Sequence, residues 1–292
     1  MKSTLLSLFA ASVLVLPVHA DEIDVVGSDL LQGAVAEPLK AFAESKDLDI
    51  VIDLYGSIPA MSMLRNDEAQ LALIARPDDG TKFKIDGYDA IPFAYQIAVV
   101  VVNTDNPITE LSLKELVGIF GTSSDQYYGR WGDLGLTGNI SKRSIQPMIV
   151  EIPDSVAREL FKSKVLDRGA FKSNTLTIEN FEKSPELMVS DTGAIGIFPY
   201  VPRQSSLRAV SISSGEPGAF AYGPSRENVY DGSYVLRLPF YLVFKKENKA
   251  ELRDILRFML SEEMSKSLVD NGFVPLSENV RKRTNLELDI GS

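Results

Sequence analysis

The sequence predicts an α/β fold in which helices flank a parallel β-sheet. Three short apolar runs, which end at Val26, Tyr55 and Ala75, are typical of buried strands. Between these runs, apolar residues recur at helical spacing, as at Val35 and Leu39. Strands that alternate with helices favour a parallel sheet, and the ligand crevice of such a sheet lies at the carboxyl ends of its strands.

Each of the three runs is followed by residues suited to anion binding. The backbone N–H groups of a first helical turn lack internal partners and carry partial positive charge, so a Gly-Ser turn there can admit an oxyanion. Because the three strand ends share one edge of the sheet, we predict a single ligand site, with a simple helix cap as the alternative for Ser28. The candidate residues are Gly27, Ser28, Asp29, Gly56, Ser57 and Arg76.

Further strands and helices are predicted downstream. Pro38 lies inside the first helix, where a proline costs about 3 kcal/mol, so that helix is expected to kink or to begin late. A third candidate helix start for anion binding is capped by Asp154 or Ser155. Strands are predicted at 91–102, 145–152, 193–198 and 234–244, and helices at 111–121, 156–161, 181–189 and 252–269.

Several side chains have a structural interpretation beside a functional one. We interpret Trp131, the only tryptophan, as a packing anchor, with ligand stacking as the alternative. Tyr55 and Tyr95 are likewise assigned to core or hinge packing. Asp78 and Asp79 are interpreted as a solvated turn, with a cation site as the alternative.

Residues 1–20 have the features of a secretory signal peptide. Lys2 supplies the positive start, an apolar stretch occupies residues 5–17, and Val18-His19-Ala20 fits a cleavage site. The apolar stretch is shorter than the roughly 20 residues of a membrane span, with a retained N-terminal anchor as the alternative. No cysteine follows, which excludes a lipid anchor of the lipobox type. We therefore predict an exported protein that is cleaved after Ala20.

The composition excludes several classes of function. A formal net charge of −10 argues against nucleic acid, including DNA, and against anionic membranes as partners. The chain has no cysteine, and its only histidine, His19, lies in the segment predicted to be removed. A Ser-His-Asp triad, a cysteine nucleophile and an ordinary zinc site are then not available. We predict that the protein is not an enzyme and that it uses no cofactor and no metal.

The order and spacing of short motifs along nearly the whole chain after residue 20 identify a family resemblance. The chain resembles the phosphate-binding periplasmic proteins of ABC transporters, which have the type II periplasmic binding protein fold. The motifs are Val26-Gly27-Ser28, Tyr55-Gly56-Ser57, Ile74-Ala75-Arg76-Pro77, Asn103 with Asn106-Pro107, Leu111-Ser112, Ile119-Phe120-Gly121, Gly193-Ala194-Ile195-Gly196, Tyr230-Asp231-Gly232-Ser233-Tyr234 and Gly272-Phe273-Val274-Pro275-Leu276.

The resemblance implies two α/β lobes that close on a ligand by hinge motion. Lobe 1 is expected to comprise residues 21–97 and 240–292, and lobe 2 residues 98–239. The resemblance also implies a monomeric periplasmic protein that captures phosphate or a related oxyanion in the cleft between the lobes. Its partner would be the permease of an ABC transporter.

The resemblance assigns roles to individual residues. Ser28 and Ser57 correspond to hydroxyl and amide donors of the family, and Arg76 corresponds to the arginine of its Ser-Arg pair. In lobe 2 the family has an arginine followed by Ser-Gly-Thr, whereas this chain has Glu151 nearby and retains only Ser155. A lost charge-assisted contact costs about 1.5–3 kcal/mol. A protein that has lost its ligand and acts as an envelope sensor or interaction module is therefore the alternative function.

Overall fold

The structure is a computed structural model that describes residues 22–78, 83–123, 125–152, 155–179 and 184–290. The segment interpreted as a signal peptide lies outside these residues, as do Asp79 and Asp154. The strands are β1 (Ile23–Gly27), β2 (Ile50–Asp53), β3 (Leu71–Ala75), β4 (Tyr88–Ile97), β5 (Val99–Asn103), β6 (Glu110–Ser112), β7 (Gln146–Val150), β8 (Leu176–Ile178), β9 (Ala194–Phe198), β10 (Leu207–Ala209), β11 (Ser211–Ser213), β12 (Arg237–Lys245) and β13 (Val274–Pro275).

The helices alternate with these strands through most of the chain. Short 3₁₀ turns lie at Asp29–Leu31, Trp131–Leu134, Ile140–Lys142 and Lys246–Lys249. The α-helices are α1 (Gln32–Lys46), α2 (Ser57–Arg65), α3 (Leu113–Phe120), α4 (Ala157–Lys164), α5 (Ser184–Ser190), α6 (Arg226–Asp231), α7 (Arg253–Met259), α8 (Glu262–Asp270) and α9 (Glu278–Ile290).

The first sheet has six strands in the order β13-β4-β12-β3-β1-β2. β1 pairs in parallel with both β2 and β3, which confirms the parallel arrangement predicted from the alternation of strands and helices. β12 runs antiparallel to β3 and β4, and β13 runs antiparallel to β4. The carboxyl ends of β1 to β4 therefore share one edge of the sheet with the amino ends of β12 and β13.

The second sheet has five strands in the order β10-β5-β9-β7-β8. β7 is parallel to β8 and β9, whereas β5 is antiparallel to β9 and β10. The amino end of β5 therefore lies at the edge formed by the carboxyl ends of β7, β8 and β9. Because β4 leads directly into β5, the ligand-binding edges of the two sheets adjoin.

The chain crosses between the sheets twice, and the two crossings are bonded to each other. Ala98 separates β4 from β5; its N–H donates to the Leu236 carbonyl at 3.0 Å and its carbonyl accepts the Tyr234 hydroxyl at 2.7 Å. On this basis we propose the predicted lobes, 21–97 with 240–292 and 98–239, although β12 already joins the first sheet at Arg237.

Trp131 is a packing anchor. Its side chain is fully buried in the core, and its indole Nε1 donates to the Gly193 carbonyl at 3.1 Å. A buried indole needs such an acceptor, because an unpaired N–H away from water is costly. The structural interpretation of this residue is therefore confirmed.

Two predicted elements are divided in the structure. The strand predicted at 91–102 forms β4 and β5, which belong to different sheets. The prediction of a single helix at 252–269 is wrong, because this range forms two helices, α7 and α8. The Ser261 hydroxyl accepts the Met264 N–H at 3.1 Å and caps a new helix at this point. The helix predicted at 181–189 begins outside the described residues and is helical from Ser184.

The first helix accommodates Pro38 in its interior. A 3₁₀ turn at Asp29–Leu31 delays the start of α1 to Gln32, and Pro38 still lies within the helix. Proline has no N–H, so the carbonyl four residues earlier, that of the buried Ala34, loses its helical donor. The Ser267 hydroxyl on α8 donates to that carbonyl at 2.7 Å. Packing of α8 against α1 thus satisfies the group that the proline leaves unpaired.

Replacing Ser267 by alanine is expected to lower the free energy of unfolding by about 1–3 kcal/mol, because the buried Ala34 carbonyl then has no donor. Denaturant unfolding measures the loss. Ser45→Ala is the matched control, since that hydroxyl donates to the Phe42 carbonyl on the exposed side of the same helix. The control is expected to change stability by less than about 0.5 kcal/mol.

The explanation is tested further in a Pro38→Ala background. Alanine at this position restores an N–H that can reach the Ala34 carbonyl, so Ser267→Ala should cost less there. An equal cost of Ser267→Ala in both backgrounds would contradict the proposed compensation.

Candidate functional site

The turns after β1 and β2 are bonded directly to each other. The Gly56 N–H donates to the Gly27 carbonyl at 2.7 Å, and the Ser28 N–H donates to the Leu73 carbonyl of β3 at 2.8 Å. The ends of three neighbouring strands are therefore held together by backbone hydrogen bonds. Gly27, Ser28, Gly56 and Ser57 lie together at one edge of the first sheet, where the sequence predicts a ligand site.

Both glycines of these turns are required by the backbone. A Cβ atom on Gly27 would lie 2.6 Å from the Leu73 carbonyl oxygen and 2.7 Å from the Leu73 Cβ, closer than packed atoms can approach. Gly56 has a φ of 132° and a ψ of 151°, a conformation essentially restricted to glycine. Gly27 is thus required by the close approach of β3, and Gly56 is required by its backbone conformation.

Ser57 is the first residue of α2, and its hydroxyl is already oriented. The Ser57 Oγ accepts the Ala75 N–H at the end of β3, at 2.9 Å. An accepting hydroxyl keeps its own hydrogen for a further acceptor. Because the first N–H groups of α2 also lack helical partners, the hydroxyl and the helix start can donate to one anionic oxygen.

Ser28 is 2% exposed, and its side chain does not cap the following helix. Within the described residues its hydroxyl makes no hydrogen bond, so it can serve a ligand at the cleft. The cap interpretation of this serine is therefore wrong. Asp29 begins the 3₁₀ turn and is exposed to solvent.

Arg76 follows β3 and lies at the same edge. Its N–H donates to the Pro239 carbonyl of β12 at 3.1 Å, which fixes the backbone beside the two serine turns. Its guanidinium carbon lies 4.9 Å above the centre of the Phe83 ring, within the range of a cation–π contact. The half-buried guanidinium supplies positive charge at the strand ends.

The solvated-turn interpretation of Asp78 is wrong. Its carboxylate accepts from Arg237 Nε at 2.9 Å and from Arg237 Nη2, and the two side chains are only 22% and 12% exposed. The Asp78 carbonyl also accepts from the Lys164 ammonium of α4, which links the two sheets. Arg237 was missed by sequence reasoning, although an arginine at the start of the apolar run 237–244 was a usable signal.

Tyr55 and Tyr95 have different environments. Tyr95 is 3% exposed in β4, and burial raises the pKa of its hydroxyl, while the Arg237 guanidinium 5.4 Å from its ring acts in the opposite direction. Tyr95 is thus a packed residue, as predicted. Tyr55 is 81% exposed, and the nearby Ile58 is 87% exposed. The packing interpretation of Tyr55 is therefore wrong.

Two backbone donors at the start of α4, on the second sheet, are engaged by protein groups. The Ser155 Oγ accepts the Ala157 N–H at 3.2 Å, and the Gln96 side-chain oxygen accepts the Val156 N–H at 3.3 Å. Gln96 is 6% exposed and belongs to β4. A glutamine inside a long apolar run was a signal that the sequence reasoning missed.

The charges near α4 are also paired. Glu151 accepts from the Arg158 guanidinium, so its negative charge is balanced by a basic residue seven positions later. Ser155 and Gln96 line a narrow cavity of about 10 Å³, room for about one water, together with Asn271. Its described lining residues include none of the strand-end candidates of the first sheet, so Ser155 stands apart from them.

The geometry and the comparisons define the class of protein. Two α/β units with adjoining ligand edges form the two-lobed fold of the periplasmic binding proteins, as the sequence predicted. Residues 18–263 match the family model described as the PBP superfamily domain. This match covers more than half of the chain, and the chain therefore belongs to the PBP superfamily.

Individual relatives agree with this assignment. The chain is 26% identical over 282 residues to the phosphate-binding protein PstS of Pseudomonas aeruginosa, covering 91% of this chain and 86% of that protein. A possible phosphate-binding protein from Planctomyces limnophilus is similar in structure, with a TM-score of 0.67, 20% identity, and coverage of 92% and 98%. PstS from Borrelia burgdorferi has a TM-score of 0.68, 16% identity, and coverage of 87% and 98%.

Membrane-spanning helices and metal-binding clusters are two further features that can be checked in the described residues. In the part of the chain that the structure describes, no helix is long and apolar enough to cross a membrane. Among the same residues, no group of three or more Asp, Glu, His or Cys side chains is arranged to hold a metal ion.

Replacing Gly56 by alanine is expected to lower the free energy of unfolding by about 1–3 kcal/mol, because its backbone conformation is strained for any other residue. The matched control is Gly223→Ala, whose new Cβ would meet only the Ser211 Oγ at 3.6 Å. Thermal or denaturant unfolding of the two variants measures the difference. Equal losses at the two glycines would contradict a special role for the Gly56 conformation.

Proposed function

We propose that this protein is an exported solute-binding protein that captures phosphate or a related oxyanion in the interlobe cleft for an ABC transporter. The observation that carries the proposal is the pair of Gly-Ser turns joined by the hydrogen bond from the Gly56 N–H to the Gly27 carbonyl. The names of the relatives support phosphate as the ligand, since the Pseudomonas aeruginosa protein is named for phosphate binding.

The chemistry of the first lobe suits an oxyanion. Two serine hydroxyls and the start of α2 supply hydrogen-bond donors, and Arg76 supplies charge. Ser57 is oriented by the Ala75 N–H, so its hydroxyl need not reorganise when a ligand arrives. Donors fixed in advance reduce the entropy that binding costs.

The second lobe contributes fewer donors to this proposal. The N–H groups of Val156 and Ala157 are engaged by Gln96 and Ser155, and Arg158 is engaged by Glu151. A ligand that closes the lobes must therefore compete for donors already in use. We infer that most of the binding free energy comes from the first lobe, and that Ser155 and Asp29 have secondary roles.

The remaining parts of the proposal follow from the sequence and the family. Cleavage after Ala20 would release the chain into the periplasm, where a monomer would deliver its ligand to a permease. Binding without catalysis is the proposed activity, with no cofactor required.

A second candidate function is favoured by the occupied start of α4. A protein of this fold whose second lobe no longer receives an anion could act as an envelope sensor or interaction module. The two functions are distinguished by ligand binding, because Arg76→Ala should weaken capture of an oxyanion but leave a protein complex intact.

Calorimetric titration with inorganic phosphate tests the main proposal. Arg76→Ala is expected to raise the Kd for phosphate by about tenfold or more, which corresponds to the free energy of one charge-assisted hydrogen bond. Ser28→Ala is expected to raise the Kd by about two- to tenfold. Arg65→Ala, which removes an exposed arginine at the other end of α2, is the control and should bind as the wild type does. If phosphate, sulfate and molybdate all give no heat with the wild type, oxyanion capture is rejected.

A second titration tests the balance between the lobes. Gln96→Leu removes the acceptor that engages the Val156 N–H, so phosphate is expected to bind as tightly as in the wild type or up to about tenfold more tightly. The melting temperature of the variant, measured without ligand, shows whether it is folded. A Kd raised tenfold in a folded Gln96→Leu variant would instead make Gln96 a ligand contact.

A further inference from the structure

A cleft of about 940 Å³ is lined by residues from both sheets. Ile97 at the end of β4 and Gly272 before β13 line it from the first sheet, and Ile152 and Pro199 line it from the second. These residues follow or precede strands at the adjoining edges of the two sheets. In the order β13-β4-β12-β3-β1-β2, the cleft lies at the β13-β4 end, whereas the two Gly-Ser turns follow β1 and β2 at the opposite end.

The cleft is far larger than an inorganic oxyanion requires. Its volume falls in the range of sites for organic ligands, about 300–1,000 Å³. It adjoins the narrow cavity of Ser155 and Gln96, because Ile97, Ile152 and Gly272 line both. The cleft therefore lies next to the start of α4.

One part of the cleft wall is apolar. Tyr200 and Val201 follow β9 on the second sheet, and Val269 and Phe273 flank the end of α8 on the first. Val201 is 45% exposed and Val269 is 40% exposed, so both present apolar surface to the cleft. Such a wall can cover an aromatic or aliphatic group of a ligand.

Another part of the wall is basic. Arg203 and Arg226 both line the cleft, and neither makes a hydrogen bond or an ion pair within the described residues. Asp270 is the only acidic residue among the described lining residues, so one positive charge remains in excess. A guanidinium group presents a planar set of donors that matches phosphate and carboxylate oxygens.

We propose that this cleft is a second ligand site, for organic anions that carry an apolar body, of which an aryl phosphate monoester is the simplest probe. Arg203 and Arg226 bind the anionic group, and Tyr200, Val201 and Val269 cover the apolar body. The site is separate from the capture of inorganic phosphate at the strand ends, so either proposal can fail without the other.

The test is calorimetric titration of the full mature chain with 1-naphthyl phosphate, in the presence of saturating inorganic phosphate. The wild type is expected to bind one equivalent of 1-naphthyl phosphate. The double variant Arg203→Ala/Arg226→Ala is expected to raise the Kd for this ester at least tenfold. The control Lys40→Ala/Arg65→Ala removes two exposed positive charges on α1 and α2 and should stay within twofold of the wild type. Arg203 and Arg226 are exposed, and the melting temperature of each variant verifies its fold.

Further measurements separate this site from the strand-end site and from simple hydrophobic binding. Val201→Gln should weaken 1-naphthyl phosphate but not inorganic phosphate, and Ser28→Ala should leave the ester unaffected. Absence of ester binding would overturn the proposal, and so would equal affinity for uncharged 1-naphthol. Displacement of the ester by inorganic phosphate would also overturn it, because the ester would then occupy the strand-end site.

Discussion

The hydrogen bond from the Gly56 N–H to the Gly27 carbonyl, 2.7 Å long, is the contact on which the first lobe's binding edge depends. It brings two helix starts side by side, with Gly27 required by the close approach of Leu73 and Gly56 by its positive φ. Ser57 then reaches the end of β3 and fixes a third strand in the same place. Neutral donors are thus arranged by the backbone at the edge where we propose that the oxyanion binds.

The charges around this edge are mostly paired within the protein. Arg237 is bonded to Asp78, Arg158 is bonded to Glu151, and the guanidinium of Arg76 lies over the Phe83 ring. In a chain with a formal net charge of −10, an oxyanion site must rely on local donors rather than on the overall field. Serine hydroxyls and helix N–H groups satisfy this requirement, because their dipoles act over a short range.

Contacts between the two lobes lie close to the cleft. Gln96 reaches from β4 to the start of α4, and Lys164 reaches from α4 back to the Asp78 carbonyl. Both contacts occupy polar groups close to the proposed oxyanion site. Under the proposed function these links leave the second sheet with fewer donors for an oxyanion than the first. The side near β9 has space, and its Arg203 has no hydrogen bond or ion pair among the described residues.

The sequence by itself determined the first three strands, the two Gly-Ser turns and their location at one edge, because periodicity and glycine act locally along the chain. It also predicted burial of Trp131 and Tyr95. Only the tertiary structure decided the partners: Arg237 for Asp78, Gln96 for Val156, and Ser267 for the carbonyl that Pro38 leaves unpaired. The exposure of Tyr55 and the division of 252–269 into two helices were mispredicted. The exposure of Tyr55 depends on which residues, distant in sequence, the folded chain brings into contact. The second helix start is local, because the Ser261 hydroxyl caps it, and the apolar periodicity of 252–269 masked this signal.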